Sequence, residues 1–278
     1  MDKTSIIGIM IGFFALLFGM HFKGISFSVL LTPAAIVIIF AGTIAAVTIA
    51  FPTNEIKKVP KLFVILFRDQ KLTDKVDLIR LFSGWAQIAR KDGLLALEAR
   101  LADVDDEFLK HGLMLAVDGQ SADYIRDVLT EEIEAMEERH YSGAQIFSQA
   151  GTYAPTLGVL GAVLGLIAAL ANMQDTSTLG EAISAAFVAT MMGIFSGYVL
   201  WHPFANKLRR KSKQEVQLKY MMLEGILSIL EGEAPRVIEQ KLSSYLSAEE
   251  RVRFLRGGGV HQNEQEQEAQ EKARQSNG

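Results

Sequence analysis

The stretch AGTYAPTLGVLGAVLGLIAALA, residues 150–171, decides the fold. It holds no Asp, Glu, Lys, Arg or His, and it is close to the roughly 20 residues a helix needs to cross about 30 Å of hydrocarbon. Residues 4–20, 27–51 and 183–201 share that composition. The chain has 278 residues, 49% of them apolar, and blocks rich in Lys, Glu, Asp and Arg separate the apolar ones. That alternation predicts an all-α membrane protein with four transmembrane helices and a large water-facing helical part. The first block competes with a secretory signal peptide, but no A-x-A-like cleavage site follows it and it is long for one, so a retained span is expected. Pro33 falls in the first turns of the second block, where a missing N–H costs least.

The links set the orientation. Residues 21–26 carry one Lys, Lys23, and residues 172–182 carry Asp175 and Glu181 with no cation. Lys57, Lys58, Lys61 and Arg68 follow the second block, and Lys207, Arg209, Arg210, Lys211 and Lys213 follow the fourth. The positive-inside rule then predicts a multi-pass protein of a cell membrane with both termini in the cytoplasm. The expected organisation is transmembrane helices 1 and 2 in residues 1–51 and a cytoplasmic helical domain in 52–149. Helices 3 and 4 follow in 150–201, cytoplasmic helices in 202–256 and a disordered tail in 257–278.

In the cytoplasmic part, Leu78, Leu81, Phe82, Trp85 and Ile88 form an apolar stripe at helical spacing, and Leu94, Leu95 and Leu97 continue it after Gly93. Ser121 is a candidate N-cap for a helix that buries Ile125, Val128, Leu129, Ile133 and Met136. Its other faces carry Glu131, Glu132, Glu134, Glu137 and Glu138, which read as a solvated surface or a docking face for a basic partner. A long helix over about residues 206–231 should stop at Gly232 and Pro235.

Several classes of function are excluded. The formal net charge of −4 argues against nucleic-acid binding. With no cysteine, thiolate chemistry, Cys-based zinc sites and iron–sulfur clusters are ruled out. No G-x-x-x-x-G-K-[ST], H-E-x-x-H or G-x-S-x-G occurs, and the five histidines show no metal-ligand spacing. Gly158, Gly161 and Gly165 lie inside an apolar span with no preceding strand, so they are no dinucleotide fingerprint. The chain is therefore read as a non-enzyme with no cofactor or metal.

The last two spans differ from the first two. Ala185, Ala189, Gly193 and Gly197 follow one another at four-residue spacing, and so do Ala154, Gly158 and Ala162, with Gly161 and Gly165 on an adjacent strip. Small residues at that spacing let another helix backbone approach closely. Two such ribbons exceed what one helix pair needs, which predicts self-assembly plus a partner helix. Tyr153, Thr156 and Thr190 are polar within these spans. A buried Ser or Thr hydroxyl usually bonds back to its own helix. Thr190 is singled out because it shares a face with Ala186 and Gly193, where it could line a hydrated path. Pro155 and Pro203, at the expected cytoplasmic ends, are helix termini or hinges. No span supplies an Asp, Glu, Lys, Arg or His, although ion carriers ordinarily hold an ionisable group at membrane depth. If the chain serves an ion-driven machine, the acid must come from another polypeptide.

These segments carry a resemblance. AFVATMMGIFSGYVLWHP (residues 186–203) resembles the signature of the MotA/PomA flagellar stator family. GTYAPTLGVLGAVLG (151–165) is similar to the family's third-span motif, and LTEEIEAMEERH (129–140) to its acidic cytoplasmic helix. MDKTSIIGI and AFPTNEIKKVP look most like the Bacillus-type branch. The resemblance spans roughly residues 2–250. It implies an ion-conducting stator subunit, five copies ringed in the membrane lipid around a dimer of a MotB-like partner. That partner has one span, an aspartate and a peptidoglycan-binding domain, and ion passage drives torque on the rotor protein FliG.

By position, the resemblance makes Arg90 and Glu98 the charged residues that engage the rotor, Thr190 the pore threonine, and Pro155 and Pro203 the functional prolines. Arg90 and Glu98 can share a side only if the chain is helical between them, which Gly93 puts in question. Sodium-driven members have threonine where this chain has Ala162, which favours H+ over Na+. An ExbB/TolQ-like energiser and a non-conducting membrane scaffold are the competing readings. The four spans and the Arg90–Glu98 pattern count against the first.

Overall fold

A computed structural model describes residues 3–70, 72–171 and 176–256. Residues 172–175 of the link after the third span and the tail from residue 257 lie outside them, so the expectation of a disordered tail is not addressed. All regular elements among the described residues are helical. They are α1 (Lys3–Phe22), α2 (Pro33–Ile36), α3 (Gly42–Ala50), α4 (Thr53–Ile56), α5 (Val59–Phe67) and α6 (Lys75–Asp92). Then come α7 (Glu107–Val117), α8 (Ala122–Ala171), α9 (Thr176–Phe195), α10 (His202–Leu230) and α11 (Pro235–Leu242). Two π-turns, Val37–Ala41 and Ser196–Trp201, join α2 to α3 and α9 to α10. A 3₁₀ segment, Leu94–Asp103, follows α6.

Among the described residues four helical stretches are long and apolar enough to cross a membrane: Thr4–Phe22, Phe27–Ala50, Ala122–Ala171 and Leu179–Leu230. The acidic segment and the third span are one helix of 50 residues, with Pro155 inside it. Pro203 lies in the first turn of α10, directly after a π-turn. Neither proline is a helix terminus. Glu181 lies in the second turn of α9, because that helix begins seven residues before the apolar block does.

The chain divides into two compact units. The first comprises Met1–Gln70 and Glu137–Lys213, and so includes the spans. Its apolar side chains point outward in large numbers, with Phe13, Phe14 and Phe18 of α1 and Ile44 and Ile49 of α3 all exposed. A helix apolar all round is suited to a lipid surround. α1 packs by Phe13 edge-on to Phe195 at 5.1 Å. Beneath the spans in sequence, Phe63, Phe147, Trp201 and Phe204 form a cluster of edge-on and stacked rings around Leu66 and Ala144.

The second unit, Lys71–Met136 with Gln214–Gly278, has the core of a water-soluble helical domain. Leu78, Ile79, Phe82 and Trp85 of α6 bury against Leu109 and Leu113 of α7, Ile125, Leu129 and Ile133 of α8, and Met221, Met222 and Ile226 of α10. Within the expected α6 stripe, Leu81 is exposed and Ile88 partly buried, while Ile79, outside that stripe, is fully buried. Of the leucines after Gly93, Leu97 is buried and Leu95 exposed. Gly225 lies against the Phe82 ring, where a Cβ would come within 2.7 Å.

Local chemistry sets the helix ends. The Asp74 carboxylate accepts from the Val76 amide at 2.8 Å, that of Asp106 from Leu109 at 3.0 Å, and the Ser121 hydroxyl from Tyr124 at 3.3 Å. Gly93 and Gly232 end α6 and α10 with φ of +86° and +72°, a conformation other residues adopt at a cost. Ser247 and Glu250 exchange hydrogen bonds as a capping box for the helix over residues 248–256.

Candidate functional site

The small residues of α8 and α9 meet each other. A Cβ on Gly158 would lie 2.8 Å from the Ala189 carbonyl oxygen, and one on Gly193 would lie 2.7 Å from that of Ala154. Gly161 faces Ala189 at 3.3 Å, Gly165 faces Ala186 at 3.3 Å, and Gly197 faces the Gly151 carbonyl and the Pro155 ring at 2.8 Å. The two ribbons therefore meet in one intrachain helix pair. The register also shifts, since Ala186, buried, supplies the contact expected of Ala185, which is only half-buried. The helical repeat of 3.6 rotates a strict four-residue row off the contact line, which moves one position over.

The four residues expected along an ion path do not share one environment. Thr156 is exposed on the outer side of α8, and its hydroxyl donates to the Thr152 carbonyl at 3.3 Å. Ala162 is half-buried. Tyr153 packs against the apolar cluster of Val47, Ile146 and Ala150 with Trp201. Thr190 is half-buried, and its hydroxyl donates to the Ala186 carbonyl at 3.3 Å, the ordinary back-bond of a helical threonine. Ser196 likewise donates to Gly193 at 3.1 Å.

Pro155 lies against Gly197, so a residue that removes a backbone donor in α8 stands beside one that gives α9–α10 room. Gly151, one turn before, lies against the His202 ring, where a Cβ would come within 2.8 Å. Sequence reasoning passed over Gly151 and His202, although a glycine one turn before a proline was the available signal.

Arg90 and Glu98 belong to the second unit. Gly93 breaks the helix between them, so Arg90 sits in the last turn of α6 and Glu98 on the 3₁₀ segment. Both are exposed, and among the described residues neither is in an ion pair. Between these elements and α7 lies a groove of about 450 Å³ whose lining includes Leu81, Trp85, Arg80, Arg100 and Asp105. The five glutamates of the acidic segment are exposed, and Glu132 accepts from His111 at 3.1 Å. Among the described residues no cluster of three or more His, Asp or Glu side chains is placed to hold a metal ion.

Residues 6–93 match the family described as "Motility protein A N-terminal", and residues 100–221 match the "MotA/TolQ/ExbB proton channel family". The chain is 66% identical to "Motility protein A" of Bacillus subtilis over 96% of its own length and 99% of that protein's. Its fold is similar to a chain of the flagellar MotAB stator complex from Bacillus subtilis, with a TM-score of 0.87, 68% identity, and 91% and 99% of the two chains covered. A chain of C. jejuni MotAB matches with a TM-score of 0.84 and 31% identity over 89% and 97%. Two small-residue helices in close contact, the outward-facing apolar spans, the helical second unit and these likenesses together place the chain in the motility protein A family of flagellar stator subunits.

Proposed function

We propose that this chain is the ion-conducting stator subunit of a bacterial flagellar motor. It couples inward proton flow, through a complex with a MotB-like partner, to torque on the rotor. The observation that carries this reading is the pairing of α8 with α9 by bare backbone contact, with no Asp, Glu, Lys, Arg or His in residues 150–171 or 183–201. Such a pair can form the wall of a conduit but cannot hold the ion, because a membrane-depth carrier needs an acid.

The partner's single span supplies that acid as an aspartate, and its peptidoglycan-binding domain anchors it. Burial of the aspartate among small residues disfavours its charged form. Protonation then releases it from the wall at Thr190, and the ring of five steps by one subunit. One charge moved through 100 mV yields about 2.3 kcal/mol, so sustained torque draws on many ions. Ala162 offers no hydroxyl, which favours H+ over Na+, since sodium needs several oxygen ligands whereas a proton needs only a carboxylate and a water chain. Pro155 and Pro203 act as hinges, and Arg90 and Glu98 engage FliG. Both termini face the cytoplasm.

Proton flux in vesicles tests the reading. The chain alone should be silent, the chain with its partner should conduct, and Thr190→Val in the complex should abolish conduction. Robust current from the chain alone would overturn the proposal. Unchanged flux and swimming with Thr190→Val would remove Thr190 from it.

A further inference from the structure

Three buried side-chain polar atoms of the first unit have no hydrogen-bond partner among the described residues, and two of them, the Thr43 hydroxyl and the Trp201 indole nitrogen, belong to residues that line one cavity; the third is the Arg209 Nε. The cavity measures about 260 Å³. Apart from Thr48, whose hydroxyl is bonded within its own helix, its walls are otherwise apolar, from Val47 of α3, Ile56 of α4, Val59 and Phe63 of α5, and Ile146 and Ala150 of α8. Thr43 is only 3% exposed, so its hydroxyl has no access to bulk solvent. An unpaired buried donor costs about 1–3 kcal/mol, so two at one cavity call for an acceptor inside it.

Both orphans adjoin a π-turn. Thr48 bonds back to the Ile44 carbonyl at 2.7 Å, as a helical threonine should. Thr43 makes no such bond, because the residue one turn back lies in the Val37–Ala41 π-turn, where the Gly42 amide reaches back to Val37. Trp201 closes the other π-turn, Ser196–Trp201. Such turns recur at functional sites.

We propose that this cavity holds one acyl chain of a membrane phospholipid, whose ester carbonyl accepts from the Trp201 indole N–H and the Thr43 hydroxyl. Two bridging waters would occupy only about 60 Å³ and leave the rest an apolar void. An acyl chain fills that space, and its ester is the acceptor found at the edge of the hydrocarbon. The mouth passes Ile44, which is 67% exposed on the outer side of α3. The segment that supplies Ile56, Val59 and Phe63 also carries the exposed Lys57, Lys58 and Lys61, whose charge suits a phosphate headgroup.

The chain has two tryptophans, and Trp85 belongs to the other unit's core, so Trp85→Phe leaves Trp201 as the sole indole fluorophore. In the complex with a partner variant that carries no tryptophan, reconstituted in phosphatidylglycerol–phosphatidylethanolamine vesicles, Trp201 should be quenched by lipid brominated near the ester. In mixtures with unbrominated lipid, the quenching should titrate as a single preferred site. Val47→Phe, which fills the cavity, should cut the quenching severalfold, and Thr43→Val should weaken it. Quenching that follows bulk lipid composition and ignores Val47→Phe would overturn the proposal. So would an unquenched Trp201, whether water or a second copy of the chain fills the space.

Should Trp85→Phe fail to fold, the unaltered chain carries the test through a phospholipid with a photoreactive acyl chain. Label concentrated in residues 43–63 and 146–150 supports the site. Label spread evenly over the four spans overturns it.

Discussion

Gly158 and Gly193 put the backbones of α8 and α9 in direct contact: a Cβ on Gly193 would lie 2.9 Å from the Gly158 Cα. The clash is with backbone atoms, which cannot rotate away as a side-chain tip can. Gly193→Ala should therefore spread the helix pair and cost about 1–3 kcal/mol as an overpacking change. Thermal melting of the purified complex and swimming speed should both fall. Gly8→Ala, where a Cβ meets nothing within 4 Å, should change neither and serves as the control.

Lys211 closes the C-terminus of α5. Its ammonium donates to the carbonyls of Ile65 at 2.6 Å and Arg68 at 2.7 Å, and the residue is only 9% exposed. A cation there meets the free carbonyls and the negative end of the helix dipole. Lys211→Met keeps most of the packing and removes the donor. Hydrogen bonds to a charged group contribute about 1.5–3 kcal/mol, so the variant should melt earlier and be cut faster by protease after residue 68. An unshifted melt would show that the carbonyls find other donors.

Much of this was legible in the sequence, where the chemistry is local. Four apolar blocks and their basic flanks gave the spans, and Ser121, Gly232 and Pro235 marked helix ends that the structure places there. Features that depend on register or on distant partners were not legible. Nothing in VIIFA or SGYVLW announces a π-turn, so the orphaned Thr43 and Trp201 were invisible. Pro155 read as a helix terminus or a hinge, yet α8 runs through it, with Gly197 against its ring and Gly151, one turn before, against His202. In the ribbon of α9 only Ala185 gives way, to Ala186, and the buried place expected of Leu81 is taken by Ile79. For Arg90 and Glu98, Gly93 warned that the helix would not carry through, and it does not.

The second unit should lose stability at both ends of the pH scale. Burial raises the Asp74 carboxyl, but the Val76 amide and the Arg253 guanidinium, 2.6 Å away, outweigh it and hold it below 3.8. The Ser247 amide holds Glu250 below 4.5. Depressed carboxylates stabilise above their ordinary values, and that stability drains as pH falls through the folded ones. Lys241 runs the other way. Burial lowers it, but Glu224, with Glu233 and Glu231, raises it above 10.5, so its contribution is complete below that value and is lost as pH rises past it. Melting followed by near-UV circular dichroism should show both losses. Asp74→Asn should flatten the acid arm and Lys241→Met the alkaline one, each leaving the other intact.

Arg90 and Glu98 stand on opposite sides of the Gly93 break, exposed and outside any ion pair among the described residues. Their substitution should leave the fold alone, with melting changed by no more than about 0.5 kcal/mol, as at other exposed sites. If they engage the rotor, Arg90→Glu and Glu98→Lys should each slow or stop swimming while flux through the complex persists. The double reversal decides between two accounts. Because the pair makes no bond of its own, swapping both charges should not restore swimming, whereas compensating reversals on the rotor surface should. Recovery in the double variant would mean that the two residues act on each other. Normal swimming in both single variants would free them of any part in torque.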